Sequence, residues 1–159
     1  MHKWYPEELA SRVQGATSTP GKRGMMEVEK EPKERGMGKT VLVVDDSPMI
    51  RKELAAAFLS DGFKTCVEAE NGKEGIDAAE RINPDLVVLD LSMPVMNGLQ
   101  AAPKLRKMLP KIPIILFTLY APGLSQTVVS NAGIDLVLEK TIPLSTLVEK
   151  ARELMGNCD

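Results

Sequence analysis

From residue 40 the chain alternates short β-branched runs with stretches in which apolar side chains recur every three or four positions. The runs are TVLVV (40–44), FKTCVEA (63–69), DLVVLD (85–90), IPIILFT (112–118) and IDLVLE (134–139). Four of them are almost continuously apolar, as strands of a parallel sheet covered on both faces must be, whereas 63–69 alternates like an edge strand. The intervening segments have readable helix ends. Ser47 caps and Pro48 opens a helix with Ile50, Leu54 and Phe58 on one face, closing near Gly62. Asn71 with Glu74 starts the second and Asn97 caps the third. The spacing predicts a fourth helix over 123–132 that stops at Gly133, and a fifth opened by Pro143 that buries Leu144, Leu147, Val148, Ala151 and Leu154. Pro103 inside the third removes one helical hydrogen bond, which predicts a kink or an early end.

Five such units make (βα)5. Right-handed crossovers wind them into an α/β fold with a doubly wound, five-stranded parallel sheet, for which the flavodoxin-like order 2-1-3-4-5 is the natural candidate. Residues 1–38 lack this patterning and carry mostly Gly, Pro, Ser, Thr and mixed charge, so they are expected to form a flexible arm dispensable for folding. The expected organisation is an arm over 1–38, one domain over 39–156 and a short tail over 157–159.

Composition narrows the function classes. The 159 residues hold 20 Lys+Arg and 22 Asp+Glu, a formal charge of -2, which supplies no blanket attraction for nucleic acid. Residues 1–39 carry eight basic and six acidic groups, leaving twelve basic and sixteen acidic for the rest. No apolar run approaches the roughly 18 residues of a membrane span, and MHKWYPEELA has no secretory apolar core, so a cytoplasmic protein is expected. Cys66 and Cys158 lie far apart without metal spacing and are expected to be reduced thiols. The sole histidine, His2, leaves no basis for a histidine triad, a histidine metal cluster or a phosphohistidine carrier.

The candidate chemistry lies at the carboxyl ends of the predicted strands, where doubly wound sheets bind their ligands. Strand 1 ends Asp45-Asp46, strand 3 at Asp90, strand 4 at Thr118 and strand 5 at Lys140. Taken alone, an Asp pair after a strand is a turn or cap, Thr118 a strand residue and Lys140 a solvated amine. Their convergence reverses that. Carboxylates about 5 Å apart repel by roughly 3 kcal/mol at an effective dielectric near 20, so the cluster invites a counter-ion. All-oxygen donors suit Mg²⁺, and a carboxylate sharing that ion with a phosphoryl donor becomes a nucleophile, with Lys140 neutralising the transferring oxygens.

VVDDS (43–47), LDLSMPVMNG (89–98), the Thr after strand 4 and the Lys after strand 5 together resemble a receiver domain of the two-component response regulators over residues 40–155. The resemblance implies a phosphoacceptor at Asp90, with Mg²⁺ held by Asp46, Asp90 and the Ser92 carbonyl, and by Asp45 mainly through water. It implies that Thr118 bonds the phosphoryl group and Lys140 neutralises it. It also implies a sensor histidine kinase or histidine phosphotransfer protein as donor, a downstream effector protein as partner, and phosphorylation-dependent homodimerisation as one outcome. Because only about four residues follow helix 5, a stand-alone receiver is expected, catalysing only its own phosphorylation and dephosphorylation, with no direct contact to nucleic acid or membrane. The competing readings are a small phosphatase with an aspartyl-phosphate intermediate, whose motif after strand 1 would resemble D-x-D, and a flavin or nucleotide carrier, which would want glycine in the loop DDSPM. Three positions depart from the family pattern: Val137 where an aromatic residue is usual, Leu119 where a small one is, and Thr141 where proline is common. They predict that activation reshapes 119–123, carrying a solvent-exposed Tyr120, more than strand 5.

Overall fold

A computed structural model describes residues 38–156. The expected arm and tail therefore fall outside the described residues, apart from Gly38. Strand β1 (Thr40–Val44) leads into helix α1 (Pro48–Ser60), β2 (Thr65–Ala69), α2 (Gly72–Ile82), β3 (Leu86–Leu89) and α3 (Gly98–Met108). Then follow β4 (Ile114–Thr118), a single 3₁₀ turn (Ala121–Gly123), α4 (Gln126–Asn131), β5 (Leu136–Glu139) and α5 (Leu144–Gly156). All strand pairs are parallel, as expected from the alternation, and their order β2-β1-β3-β4-β5 is the one that the alternation and the receiver resemblance together implied.

Strand period sorts the side chains onto two covered faces. Val41, Val43, Leu86, Val88, Ile115 and Phe117 point to one side, where Leu54 and Phe58 of α1 and Leu147, Val148 and Ala151 of α5 cover them. Leu42, Val44, Val87, Leu89, Ile114 and Leu116 point to the other, against α2, α3 and α4. Phe58 meets Phe63 edge to face at 4.9 Å between ring centroids, closing the lower edge of the first layer.

The caps follow the chemistry of their residues. Ser47, Asn71 and Asn97 accept from the main-chain N–H groups of Ile50, Glu74 and Gln100, and the Gln100 side chain returns a bond to the Asn97 N–H. Three expectations are corrected. Pro103 does not end α3, which runs on to Met108 with the exposed proline inside it. Helix α4 is only six residues long, since the 3₁₀ turn takes Gly123, Leu124 is extended and Ser125 supplies the cap. Strand β5, although continuously apolar, is an edge strand whose residues are only half buried, and Leu144 and Leu154 of α5 share that partial exposure.

Arg106 ties the amino ends of the sheet together. Its guanidinium donates to the carbonyls of Leu109, Pro110, Ile112 and Gly133 and to the Asp135 carboxylate. The same carboxylate accepts the Ile114 N–H, so the lower ends of β4 and β5 are held by one group.

Candidate functional site

The sheet order sets the site. Between β1 and β3 the direction of winding reverses, so α1 and α2 leave on opposite faces and a crevice opens above the strand ends. Each strand continues its ladder by one residue into that crevice. The main-chain N–H of Asp45 donates to Ala69 (3.0 Å), that of Asp90 to Val44 (2.9 Å) and that of Lys140 to Thr118 (3.0 Å). Asp45, Asp90 and Lys140 thus hang from the last hydrogen-bonded rung of rigid strands, not from free loop.

Asp45, Asp90 and Thr118 are buried, whereas Asp46 is exposed at the mouth. Lys140 reaches from the edge strand across β4, placing Nζ 2.7 Å from Asp45 Oδ2 and 3.3 Å from Asp90 Oδ1. Asp45 Oδ1 also accepts the Ser47 N–H (2.9 Å), and Asp90 Oδ1 the Leu91 N–H (2.8 Å). Thr118 Oγ1 accepts the Tyr120 N–H (3.1 Å) at the end of β4. Ser92 lies exposed two residues beyond Asp90 in the loop 90–97.

One ammonium faces three carboxylates. Asp45, Asp46 and Asp90 each offer an oxygen within 4.8 Å of the others. Burial raises the Asp90 pKa from 3.8 to about 6; the repulsion of Asp45 adds to this, and Lys140 only partly offsets it. Burial works against a charged Lys140, but its contacts with Asp45 and then Asp90 outweigh that and raise its pKa. An oxygen-only donor set of three closely spaced carboxylates fits a hard divalent cation, with Asp45, Asp46 and Asp90 as the residues that would hold it.

Around this centre the loop 90–97 is tightly built. Gly98 donates to the Leu91 carbonyl, and a Cβ there would stand 2.3 Å from the Asp90 carbonyl oxygen, so only glycine lets α3 start beneath the site. Val95 holds φ at 69°, a conformation β-branched residues rarely adopt, while 76% exposed. Tyr120 is exposed as expected, Leu119 is exposed beside it, and Val137 packs against the core layer of α2 and α3.

Sequence reasoning missed Arg51. Its guanidinium donates to the Asp45 carbonyl (2.6 Å) and to Glu68 Oε1 (3.0 Å). A signal was present: a cation in the opening of a helix, near its positive end, is unfavourable unless something pairs with it.

A family model for the response regulator receiver domain matches residues 41–152. Among curated relatives, the chemotaxis protein CheY of Thermotoga maritima is 38% identical over 80 residues, covering 50% of this chain and 67% of that protein. The nitrate/nitrite response regulator NarL of Escherichia coli is 45% identical over 71 residues, 43% of this chain and 32% of NarL. TcrX of Mycobacterium tuberculosis, a probable transcriptional regulatory protein by its description, is 34% identical over 76% of this chain and 51% of its own length. The chain thus spans about a quarter to two thirds of the length of the curated relatives it matches. Among solved structures, a CheY-like receiver domain from Methanospirillum hungatei superposes with a TM-score of 0.71 at 27% identity, covering 76% of this chain and 96% of that one. The response regulator TrrA of Thermotoga maritima, solved in complex with Mg²⁺ and BeF, gives 0.67 at 36% identity, covering 73% and 98%. With its five strands in this order and its motifs at their carboxyl ends, the chain belongs to the response regulator receiver domains of two-component signalling.

Proposed function

We propose that this chain is a phosphoacceptor whose nucleophile is Asp90. The observation that carries the reading is Lys140 Nζ lying between Asp45 and Asp90, with Thr118 buried at the end of β4. An Asp90 carboxylate oxygen attacks phosphorus of a phosphohistidine donor; the O–P bond forms, the N–P bond breaks, and the imidazole nitrogen keeps the electron pair. Lys140 sits where it can neutralise the transferring oxygens, and the Thr118 hydroxyl can donate to one of them. Mg²⁺ held by Asp45, Asp46, Asp90 and the Ser92 carbonyl would screen the charge of nucleophile and phosphoryl group. With an Asp90 pKa of about 6, the nucleophile is mostly carboxylate at neutral pH, and transfer should weaken below that value.

The donor in this reading is a sensor histidine kinase or histidine phosphotransfer protein in the cytoplasm, and the output is binding of an effector protein or a second copy of the chain. Incubation with acetyl phosphate and Mg²⁺ should add one phosphoryl group, seen by intact mass. Asp90→Asn should abolish it; equal labelling of that variant overturns the assignment. Sustained turnover of phosphate esters would instead favour a phosphatase.

A further inference from the structure

Most charged side chains outside the acidic crevice are either exposed or paired at a distance from it, but Arg51 is neither. It is the fourth residue of α1, its side chain is 14% exposed, and it is bound on two sides. Nη1 donates 2.6 Å to the Asp45 carbonyl, and Nε donates 3.0 Å to Glu68 on β2. Glu68 pairs in register with Val43, two residues before Asp45, so the guanidinium bridges α1, the end of β1 and the edge strand.

The Asp45 carbonyl matters because it belongs to the peptide plane leading into Asp46. Every other polar atom of Asp45 is already engaged: its N–H by Ala69, Oδ1 by Ser47 and Oδ2 by Lys140. The Asp46 carboxylate has no hydrogen bond or ion pair among the described residues, so its direction is inherited from the main chain. A planar peptide transmits the orientation of its carbonyl to the next residue. We propose that Arg51, braced by Glu68, is a positioning residue that fixes the Asp45–Asp46 peptide and thereby aims the Asp46 carboxylate at the divalent-cation site. The proposal rests on the phosphoacceptor reading of that site.

Positioning and charge predict opposite signs. A guanidinium beside a cation site repels the cation, so a purely electrostatic role means that removing it tightens Mg²⁺ binding. A positioning role means that removing it weakens binding, as loss of an outer-shell partner does by about 10-fold or more. Mg²⁺ affinity is measured by calorimetry on the full chain, and the amide shifts of Asp46 and Ser47 are followed in EDTA. Arg51→Met should bind Mg²⁺ about 10-fold more weakly and shift those metal-free amides while leaving Leu91 in place. Arg51→Lys, which keeps one donor but cannot bridge both acceptors, should lose about 3-fold, and it decides the matter if the Met variant does not fold. Equal or tighter Mg²⁺ binding by the folded variant overturns the proposal. Failure of the wild type itself to bind Mg²⁺ would instead overturn the phosphoacceptor reading.

Discussion

Asp90→Asn should stabilise the metal-free protein at neutral pH, because the native fold holds a carboxylate where it costs free energy. The pKa of Asp90 rises from 3.8 to about 6, through burial first and then the repulsion of Asp45. A carboxyl whose folded pKa exceeds its unfolded one binds its proton more tightly in the native state. It therefore contributes stability below the unfolded value and loses that contribution as pH rises through the folded one. About two pKa units at about 1.4 kcal/mol each make about 3 kcal/mol above both values. An amide facing Lys140 returns part of this, leaving a gain of about 2 kcal/mol. Asparagine keeps the acceptor for the Leu91 N–H, and Lys140 keeps its shorter contact with Asp45, so little else changes. Urea unfolding in EDTA should show the gain at about pH 7.5 and its loss by about pH 4.5. Saturating Mg²⁺ should close the gap from the other side by stabilising the wild type, about 2.7 kcal/mol at 100 times Kd. A variant less stable than wild type at about pH 7.5, or a difference that does not change with pH, would refute the reasoning.

Two further outcomes follow from backbone geometry near the site. Gly98→Ala drives a methyl to within 2.3 Å of the Asp90 carbonyl oxygen and should cost about 2 kcal/mol or more in urea unfolding while distorting the loop 90–97; an unchanged midpoint would show that α3 shifts freely. Val95→Asn relieves a β-branched residue at φ 69° and should raise stability by about 1 kcal/mol, read as a higher melting temperature, since the exposed valine contributes little packing; a lower temperature would mean that Val95 is held by contacts the backbone angle does not reveal.

Local rules in the sequence determined the elements. Period-two and period-3.6 patterning, with Ser47, Asn71 and Asn97 at their helix starts, specified five strands and five helices, because capping and amphipathicity act within a few residues of chain. Four strand-end motifs marked Asp45, Asp46, Asp90, Thr118 and Lys140, and the resemblance added Ser92. Their convergence also followed from the winding rule, since parallel strands must present their carboxyl ends together. Tertiary structure decided what depends on partners distant in sequence. Whether β5 is covered or half exposed depends on its place at the sheet edge, which its own apolar run does not encode. The raised pKa of Asp90 needs Asp45, 45 residues away, and a buried position between layers. The reach of Lys140 across β4, the crowding that demands Gly98, and the grip of Arg51 on the Asp45 carbonyl all depend on register between strands and helices. Those contacts depend on how elements far apart in sequence meet in space, and a local pattern of hydrophobic and polar residues does not carry such distances.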